Sequence, residues 1–188
     1  MCKADCQQGF TLLELIIVIV LLSVLAVMAV PNWSSWTEAT HRQTAISDLV
    51  TLINLARNTA IHDQTSVTLC PLNTAGTCTR DWNKTLTVFR DPDRSRKLVS
   101  GAQIIKVSDP VKQGHIIART GNRPYFGFRA SGHAREAIGH FLWCPTDNDP
   151  SKASQIRINR GGRPLLAEDR NGDGIVEGAD GRAISCIR

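Results

Sequence analysis

One long apolar segment near the N-terminus constrains this chain more than any other feature. From Phe10 to Val30 the sequence reads FTLLELIIVIVLLSVLAVMAV, with only three polar side chains among the apolar ones. A helix needs roughly 20 apolar residues to cross a bilayer, so this segment predicts a membrane-spanning helix over residues 10–30. The short polar stretch MCKADCQQG comes before the apolar segment, whereas a cleaved secretory signal carries its small-residue site after its apolar stretch.

Glu14 places a carboxylate inside this apolar segment. A charged side chain at the centre of a membrane helix costs roughly 2.5–3.5 kcal/mol on insertion scales, which makes such a residue a functional candidate. The alternative is that the Glu14 side chain reaches the membrane edge. The residues Gly9-Phe10-Thr11-Leu12-Leu13-Glu14 resemble the signal at which type IV prepilins and pseudopilins are cleaved.

This resemblance implies how the N-terminus is processed and what Glu14 does. A prepilin peptidase would cleave after Gly9 and methylate the new amino terminus of Phe10. Residues 1–9 would then be a leader peptide, and Glu14 would pair with the N-terminal amine of a neighbouring subunit during filament assembly. Inside a bilayer, a carboxylate facing an ammonium group removes the cost of two isolated charges.

The helical pattern continues beyond the apolar segment, where it becomes amphipathic. Pro31 predicts a kink, because proline removes a backbone donor and clashes with the preceding turn. Residues 31–63 then predict the second, amphipathic half of the same helix. Its apolar side chains recur at three- and four-residue spacing, at Ile46, Leu49, Val50, Ile53, Ala56 and Ala60.

Two further segments narrow the resemblance. The run from Leu55 to Ile61, followed by Val67-Thr68-Leu69-Cys70, is similar to the helix end and first strand of the GspH/FimT group of minor pilins and pseudopilins. Trp82 followed by Leu86-Thr87-Val88-Phe89 and Asp91-Pro92-Asp93 resembles a later segment of that group. The alternative for these aromatic side chains is simple core packing.

Residues 64–188 predict a β-rich head, so the expected fold class is α+β: a type IV pilin-like long helix packed on an antiparallel β-sheet. The candidate strands are short apolar runs separated by turn residues: Ser66–Cys70, Leu86–Arg90, Gln103–Ser108, His115–Thr120, Tyr125–Phe128, His140–Cys144, Gln155–Asn159 and Ala183–Ile187.

Four cysteines in the head predict disulfides formed in an oxidising compartment: Cys70, Cys78, Cys144 and Cys186. Cys70 and Cys78 bracket a short loop, and pairing them would leave Cys144 to pair with Cys186. Four cysteines allow three pairings, however, and the sequence does not choose among them. Zinc is disfavoured because the cysteines lack the usual ligand spacing.

A glycine-rich segment near the C-terminus resembles a calcium-binding loop. Oxygen-bearing residues lie at the spacing of an EF-hand loop, with Gly174 at the sharp turn. The expected ligands are Asp169, Asn171, Asp173, the Ile175 carbonyl, Glu177 and Asp180. Flanking helices are not predicted, and the alternative is a polar hairpin loop that binds no metal.

A second possible site is basic. The net charge is +5, and Gly162-Arg163-Pro164-Leu165 partly resembles the Gly-Arg-x-Arg motif with which FimT-type minor pilins bind DNA. Arg157, Arg160 and Arg163 could contact phosphates. The second arginine of the motif is missing, and acidic residues follow closely, so the alternative is that these side chains are merely solvated.

The remaining motifs give no indication of catalysis. The five histidines have no metal-binding pattern, and no P-loop, nucleophile elbow or dinucleotide-binding glycine motif occurs. The resemblance implies a minor pilin or pseudopilin in the bacterial inner membrane, with a periplasmic head and a position at or near a filament tip.

Its implied partners are other major and minor pilins or pseudopilins, a prepilin peptidase, an assembly ATPase and an inner-membrane platform protein. The sequence does not separate a type IV pilus from a type II secretion system. Two alternatives remain: a DNA-binding pilin, and a periplasmic domain held by an ordinary signal anchor.

Overall fold

The computed structural model describes residues 10–134 and 138–187, and it describes no side chains for residues 27–35 and 102. In this part of the chain one long helix, α1 (Leu12–His62), precedes eight strands. The strands are β1 (Val67–Pro71), β2 (Leu86–Arg90), β3 (Ile104–Val107), β4 (His115–Arg119), β5 (Phe126–Phe128), β6 (Gly139–Cys144), β7 (Ser154–Ile158) and β8 (Pro164–Leu166). The predicted leader and Gly9 lie outside the described residues, as does the side chain of Pro31.

The chain divides into two compact units between Glu38 and Ala39. The first unit contains the N-terminal part of α1. Within the described residues, no helix combines the length and the apolar character that crossing a membrane requires. The second unit contains the end of α1 and both sheets described below.

The last part of α1 packs on the strands through one apolar stripe. Buried side chains recur along it at Ile46, Leu49, Leu52, Ile53, Ala56 and Ala60. Leu52 joins the predicted stripe, and Val50 is half-buried at its edge. These residues share one core with Val67, Phe89 and Phe141 from the strands. The prediction of a long helix packed on an antiparallel head is therefore confirmed.

The strands form two four-stranded antiparallel sheets. The first sheet has the order β3-β2-β1-β5, and the second has the order β4-β6-β7-β8. The chain crosses between them because β5 returns to pair with β1, while β4 and β6 pair in the second sheet. Trp82, Phe126 and Phe141 meet in the shared core with ring centroids 4.6–5.6 Å apart. The core-packing interpretation is confirmed for Trp82 and Phe89, which are both buried.

The prediction of a strand at Ala183–Ile187 is wrong. These residues form no strand, although Ala183 makes an isolated bridge with Glu177. The segment resembled a strand because Ile184 and Cys186 alternate with exposed residues. These two side chains are buried because the segment packs on a face of the second sheet, and the segment does not pair with an edge strand of that sheet. The edge strand is instead β8, a three-residue strand that begins at a proline.

A second, smaller core covers the side of the second sheet that carries Leu142 and Cys144; we call this side the outer face. It contains Leu142, Cys144, Ala153, Ile184 and Cys186. Residues 167–187, here the C-terminal segment, run across this face. The buried disulfide Cys144–Cys186 attaches the segment to β6.

The other disulfide joins Cys70 to Cys78. The prediction that the head contains disulfides is therefore confirmed, and the structure pairs the four cysteines as near neighbours in the first case and across 42 positions in the second.

Candidate functional site

The start of α1 holds the first candidate site, at Thr11 and Glu14. The Thr11 hydroxyl oxygen accepts a hydrogen bond from the Glu14 backbone N–H at 3.2 Å. This is the geometry of an N-terminal cap, in which a threonine side chain satisfies a helix donor that has no partner in the helix. The T-x-x-E spacing of a capping box was a signal for this role that the sequence interpretation did not use.

Glu14 therefore lies in the first turn of the helix. A carboxylate is favoured there because the unpaired backbone N–H groups give the helix N-terminus a partial positive charge. Glu14 is also exposed within its unit, so its carboxylate is accessible to a partner. The arrangement suits a contact with a positively charged group beyond the start of the helix.

The apolar residues that follow are exposed on all sides of the helix. Every residue from Phe10 to Ala26 is exposed, with Phe10 at 84% and Val18, the least exposed of the large apolar residues, at 45%. A helix that is apolar all round is stable only when it is covered, by lipid or by other protein. The helix of the first unit is therefore expected to be covered by lipid or by other protein chains.

The C-terminal segment holds the second candidate site. One carboxylate oxygen from each of Asp169, Asp173 and Glu177 lies within 4.8 Å of those of the other two. Backbone N–H groups of Gly174 and Gly172 donate to Asp169 at 2.8 and 2.7 Å. These hydrogen bonds hold the pKa of the Asp169 carboxyl below its ordinary value.

Of the other predicted calcium ligands, Asn171 and Ile175 lie in the turn around Asp173, and Asp180 lies apart. The Asn171 side-chain oxygen accepts from the Asp173 N–H at 2.9 Å, so Asn171 and Asp173 belong to one tight turn. Ile175 donates its N–H to Asp173. Asp180 is not part of the carboxylate cluster: its side chain accepts from the Arg182 N–H, because the chain turns away after Gly178. The EF-hand spacing would have placed Asp180 at the ion.

The three candidate DNA-binding arginines differ in exposure. Arg157 lies half-buried in β7. Arg160 and Arg163 are exposed beside the turn that contains Gly162, where Arg57 of α1 donates to the Gly161 carbonyl at 3.1 Å. This turn is therefore a packing element against the helix.

A row of cross-strand neighbours on the outer face contains a perturbed histidine. Arg119, His140 and Arg157 are paired across β4, β6 and β7. Burial lowers the pKa of His140, and the nearby charges of Arg119 and Arg157 lower it further, while Asp180 opposes them. His140 is consequently held towards its neutral form.

Comparisons with known proteins agree with this architecture. The family described as "Type II transport protein GspH" matches residues 45–162, and the "Prokaryotic N-terminal methylation motif" matches residues 5–30. No curated protein sequence matches the chain significantly.

Two solved structures of the type IV minor pilin FimU from Pseudomonas aeruginosa are similar in fold. The first has a TM-score of 0.53 at 18% identity and covers 71% of this chain and 92% of FimU. The second has a TM-score of 0.51 at 17% identity and covers 67% and 92%. The expected type IV pilin fold is thus confirmed.

The helix, the two-sheet head and the methylation motif define a membrane-anchored pilin-like subunit of a type IV filament. More specifically, the chain belongs to the GspH family, because that family's match extends over most of its length. The GspH/FimT resemblance and the prediction of a minor pilin or pseudopilin are confirmed. The family is structural and not enzymatic, and lack of catalytic activity in this chain remains a prediction. No comparison supports DNA binding.

Proposed function

We propose that this protein is a single-pass inner-membrane minor pilin or pseudopilin with a periplasmic head. A prepilin peptidase would cleave after Gly9 and methylate Phe10. The assembly ATPase and the inner-membrane platform would then insert the subunit into a filament, at or near its tip. Two disulfides in the head support the periplasm, which is an oxidising compartment.

The observation that carries this proposal is the first unit of the structure. Its apolar helix is exposed on all sides, and its capped first turn presents Glu14. Lipid would cover this helix before assembly, and neighbouring helices would cover it afterwards. In the filament, the Glu14 carboxylate would face the methylated amine of Phe10 on an adjacent subunit, so that each charge neutralises the other.

The test is a Glu14→Ala variant, scored by immunoblot for its presence in sheared filaments. We expect strong loss of incorporation, with normal amounts of processed protein in the membrane. Glu14→Gln should give the same result, because the amide keeps the shape of the side chain and loses the charge. Asp48→Ala is the matched control, since it removes an exposed carboxylate from the same helix within the head. Normal incorporation of both Glu14 variants would contradict the proposed pairing.

Processing is tested separately by the intact mass of the purified chain. We expect loss of residues 1–9 and the added mass of one methyl group on Phe10. An unprocessed chain would instead favour an ordinary signal anchor for a periplasmic domain. DNA binding is not proposed, because no comparison supports it and Arg157 is half-buried.

A further inference from the structure

The carboxylate cluster of the C-terminal segment contains a buried charge without a counterion. Glu177 is only 6% exposed. One of its oxygens accepts a hydrogen bond from the Arg170 N–H at 2.8 Å, but the other, Oε1, is buried and receives no hydrogen bond from the described residues. A buried ionised carboxylate with an unsatisfied oxygen is costly unless a positive charge compensates it.

The neighbours of Glu177 increase this cost. Asp169 and Asp173 bring two further carboxylates within 4.8 Å, and none of the three forms an ion pair with a lysine or arginine in the described part of the chain. Three negative charges at this separation repel one another. A cation from outside the chain would compensate these charges.

The donor set selects the kind of cation. All three groups offer oxygen, with no histidine or cysteine among them, which suits a hard ion and not zinc. Ca2+ accepts irregular sets of six to eight oxygens, whereas Mg2+ demands near-ideal octahedral geometry. The three carboxylates supply part of such a set, and water would complete it.

We propose that Asp169, Asp173 and Glu177 bind one Ca2+ ion that fastens the C-terminal segment onto the outer face of the second sheet. The ion satisfies Glu177 Oε1 and removes the repulsion within the cluster. It also acts on packing, because Ile175 and Val176 lie between the ligands and contact the second core. Binding of Ca2+ therefore stabilises the second core together with the loop.

The position of Glu177 distinguishes this site from an EF-hand loop. The last acidic ligand is the buried Glu177, and the later Asp180 turns away to accept from Arg182. Glu177 and Asp180 lie three positions apart in one loop. Substitution of Glu177 is expected to weaken Ca2+ binding and substitution of Asp180 is not, so the two substitutions are a matched pair.

The experiment is calorimetric titration of CaCl2 into the full chain, purified in detergent micelles and freed of metal with EDTA. We expect one binding site. Glu177→Gln should weaken binding at least about tenfold, because the amide keeps the size of the side chain and loses its charge. Asp180→Asn should retain the wild-type affinity, since the amide oxygen can still accept from Arg182. MgCl2 should bind at least about tenfold more weakly than CaCl2.

Thermal unfolding gives a second readout that does not depend on heats of binding. CaCl2 at about 100 times its dissociation constant should raise the unfolding midpoint by about 5–10 °C. Glu177→Gln should lose this shift, while its midpoint in EDTA equals or exceeds that of the wild type, since the variant lacks the buried charge. That second value shows that the variant is folded.

Three results would overturn the proposal. The first is an absence of both heat and midpoint shift when the wild type meets millimolar CaCl2. The second is loss of binding in Asp180→Asn with retention in Glu177→Gln. The third is equal affinity for MgCl2.

Discussion

Asp91 organises the turn that follows β2 through both of its carboxylate oxygens. The side chain is 2% exposed. One oxygen accepts from the Ser95 N–H at 2.8 Å, and the other accepts from the Thr68 hydroxyl at 2.9 Å and the Arg96 N–H at 3.1 Å. Because Thr68 lies in β1, a single carboxylate connects the turn to the centre of the first sheet.

Replacing Asp91 by alanine should destabilise the protein by about 2 kcal/mol, since it leaves the buried Thr68 hydroxyl and two partly buried N–H groups without their acceptor. Asp93→Ala is the control, because the same substitution then removes an exposed carboxylate from the same turn. Chemical denaturation of both variants measures the difference. Equal stability of the two variants would show that the hydrogen bonds of Asp91 contribute little.

His140 should make stability depend on pH. Its pKa is lower in the folded protein than the ordinary value of 6.5, because burial and the charges of Arg119 and Arg157 disfavour the protonated form. The unfolded chain therefore binds more protons at this position, and stability falls as pH drops below about 6.5. We expect a higher free energy of unfolding at pH 7.5 than at pH 5.

A His140→Gln variant should reduce this pH dependence. His133→Gln, which changes an exposed histidine, should leave it intact. Denaturant titrations at the two pH values provide the measurement. A wild-type and a His140→Gln protein with the same pH dependence would assign the effect to other groups.

Two turns meet where α1 crosses the strands, and their contact explains why residue 162 is a glycine. The turn that ends at Gly132 and the turn that ends at Gly162 pack together, and both glycines have positive φ, +76° and +72°. A Cβ atom on Gly162 would lie 2.3 Å from the Gly132 carbonyl oxygen. Glycine is thus required here by conformation and by space, independently of any role in binding DNA.

Gly162→Ala should destabilise the protein by roughly 2–4 kcal/mol, from strain at positive φ and from overlap with Gly132. Gly121→Ala isolates the strain, because Gly121 also has positive φ but open space around its Cβ position. That variant should lose only about 1–2 kcal/mol. Thermal or chemical unfolding compares the two, and a Gly162→Ala protein no less stable than Gly121→Ala would show that the turns can move apart.

The elements with a local signal could be predicted from the sequence. The helix follows from its three- and four-residue apolar spacing, and β1 and β2 follow from short buried runs bounded by turn residues. The strand β8 was missed, because three residues beginning with Pro164 carry almost no periodic signal. The prediction of a strand at Ala183–Ile187 was wrong for the opposite reason. Alternation of apolar residues indicates which side chains are buried, but it does not indicate what buries them.

The division into two sheets, and the members of the carboxylate cluster, could not be predicted in this way. Strand partners are chosen by long-range contacts, such as the return of β5 to β1. For the same reason, the spacing of acidic residues assigned equal roles to Glu177 and Asp180. Only the fold shows that the first is buried in the cluster and the second is exposed.

The two units have contrasting surfaces that suit a filament subunit. The first unit exposes its apolar side chains from Phe10 to Ala26, whereas the second buries apolar side chains in two cores. A chain with this arrangement is expected to function only as part of an assembly. Deleting its gene should therefore disturb a filament-dependent process in the cell that makes it.

We expect the deletion strain to lose either sheared surface pili or secretion of enzymes into the medium. Loss of pili with normal secretion would assign the protein to a type IV pilus, and the reverse would assign it to a type II secretion system. Complementation with the Asp48→Ala gene should restore the lost process, and complementation with Glu14→Ala should not. A deletion strain that retains both processes would contradict a role in either filament.

The Cys144–Cys186 bond has a consequence for the order of events in biosynthesis. Both strands that flank β6 in the second sheet, β4 and β7, precede Cys186 in the chain, so this part of the sheet can form before the C-terminal segment is in place. The outer face is covered only when the C-terminal segment has packed on it and Cys186 has formed its disulfide with Cys144. A subunit with the proposed periplasmic head would thus pass through a stage with an uncovered outer face, and the rate at which Cys186 is oxidised would set how long that stage lasts.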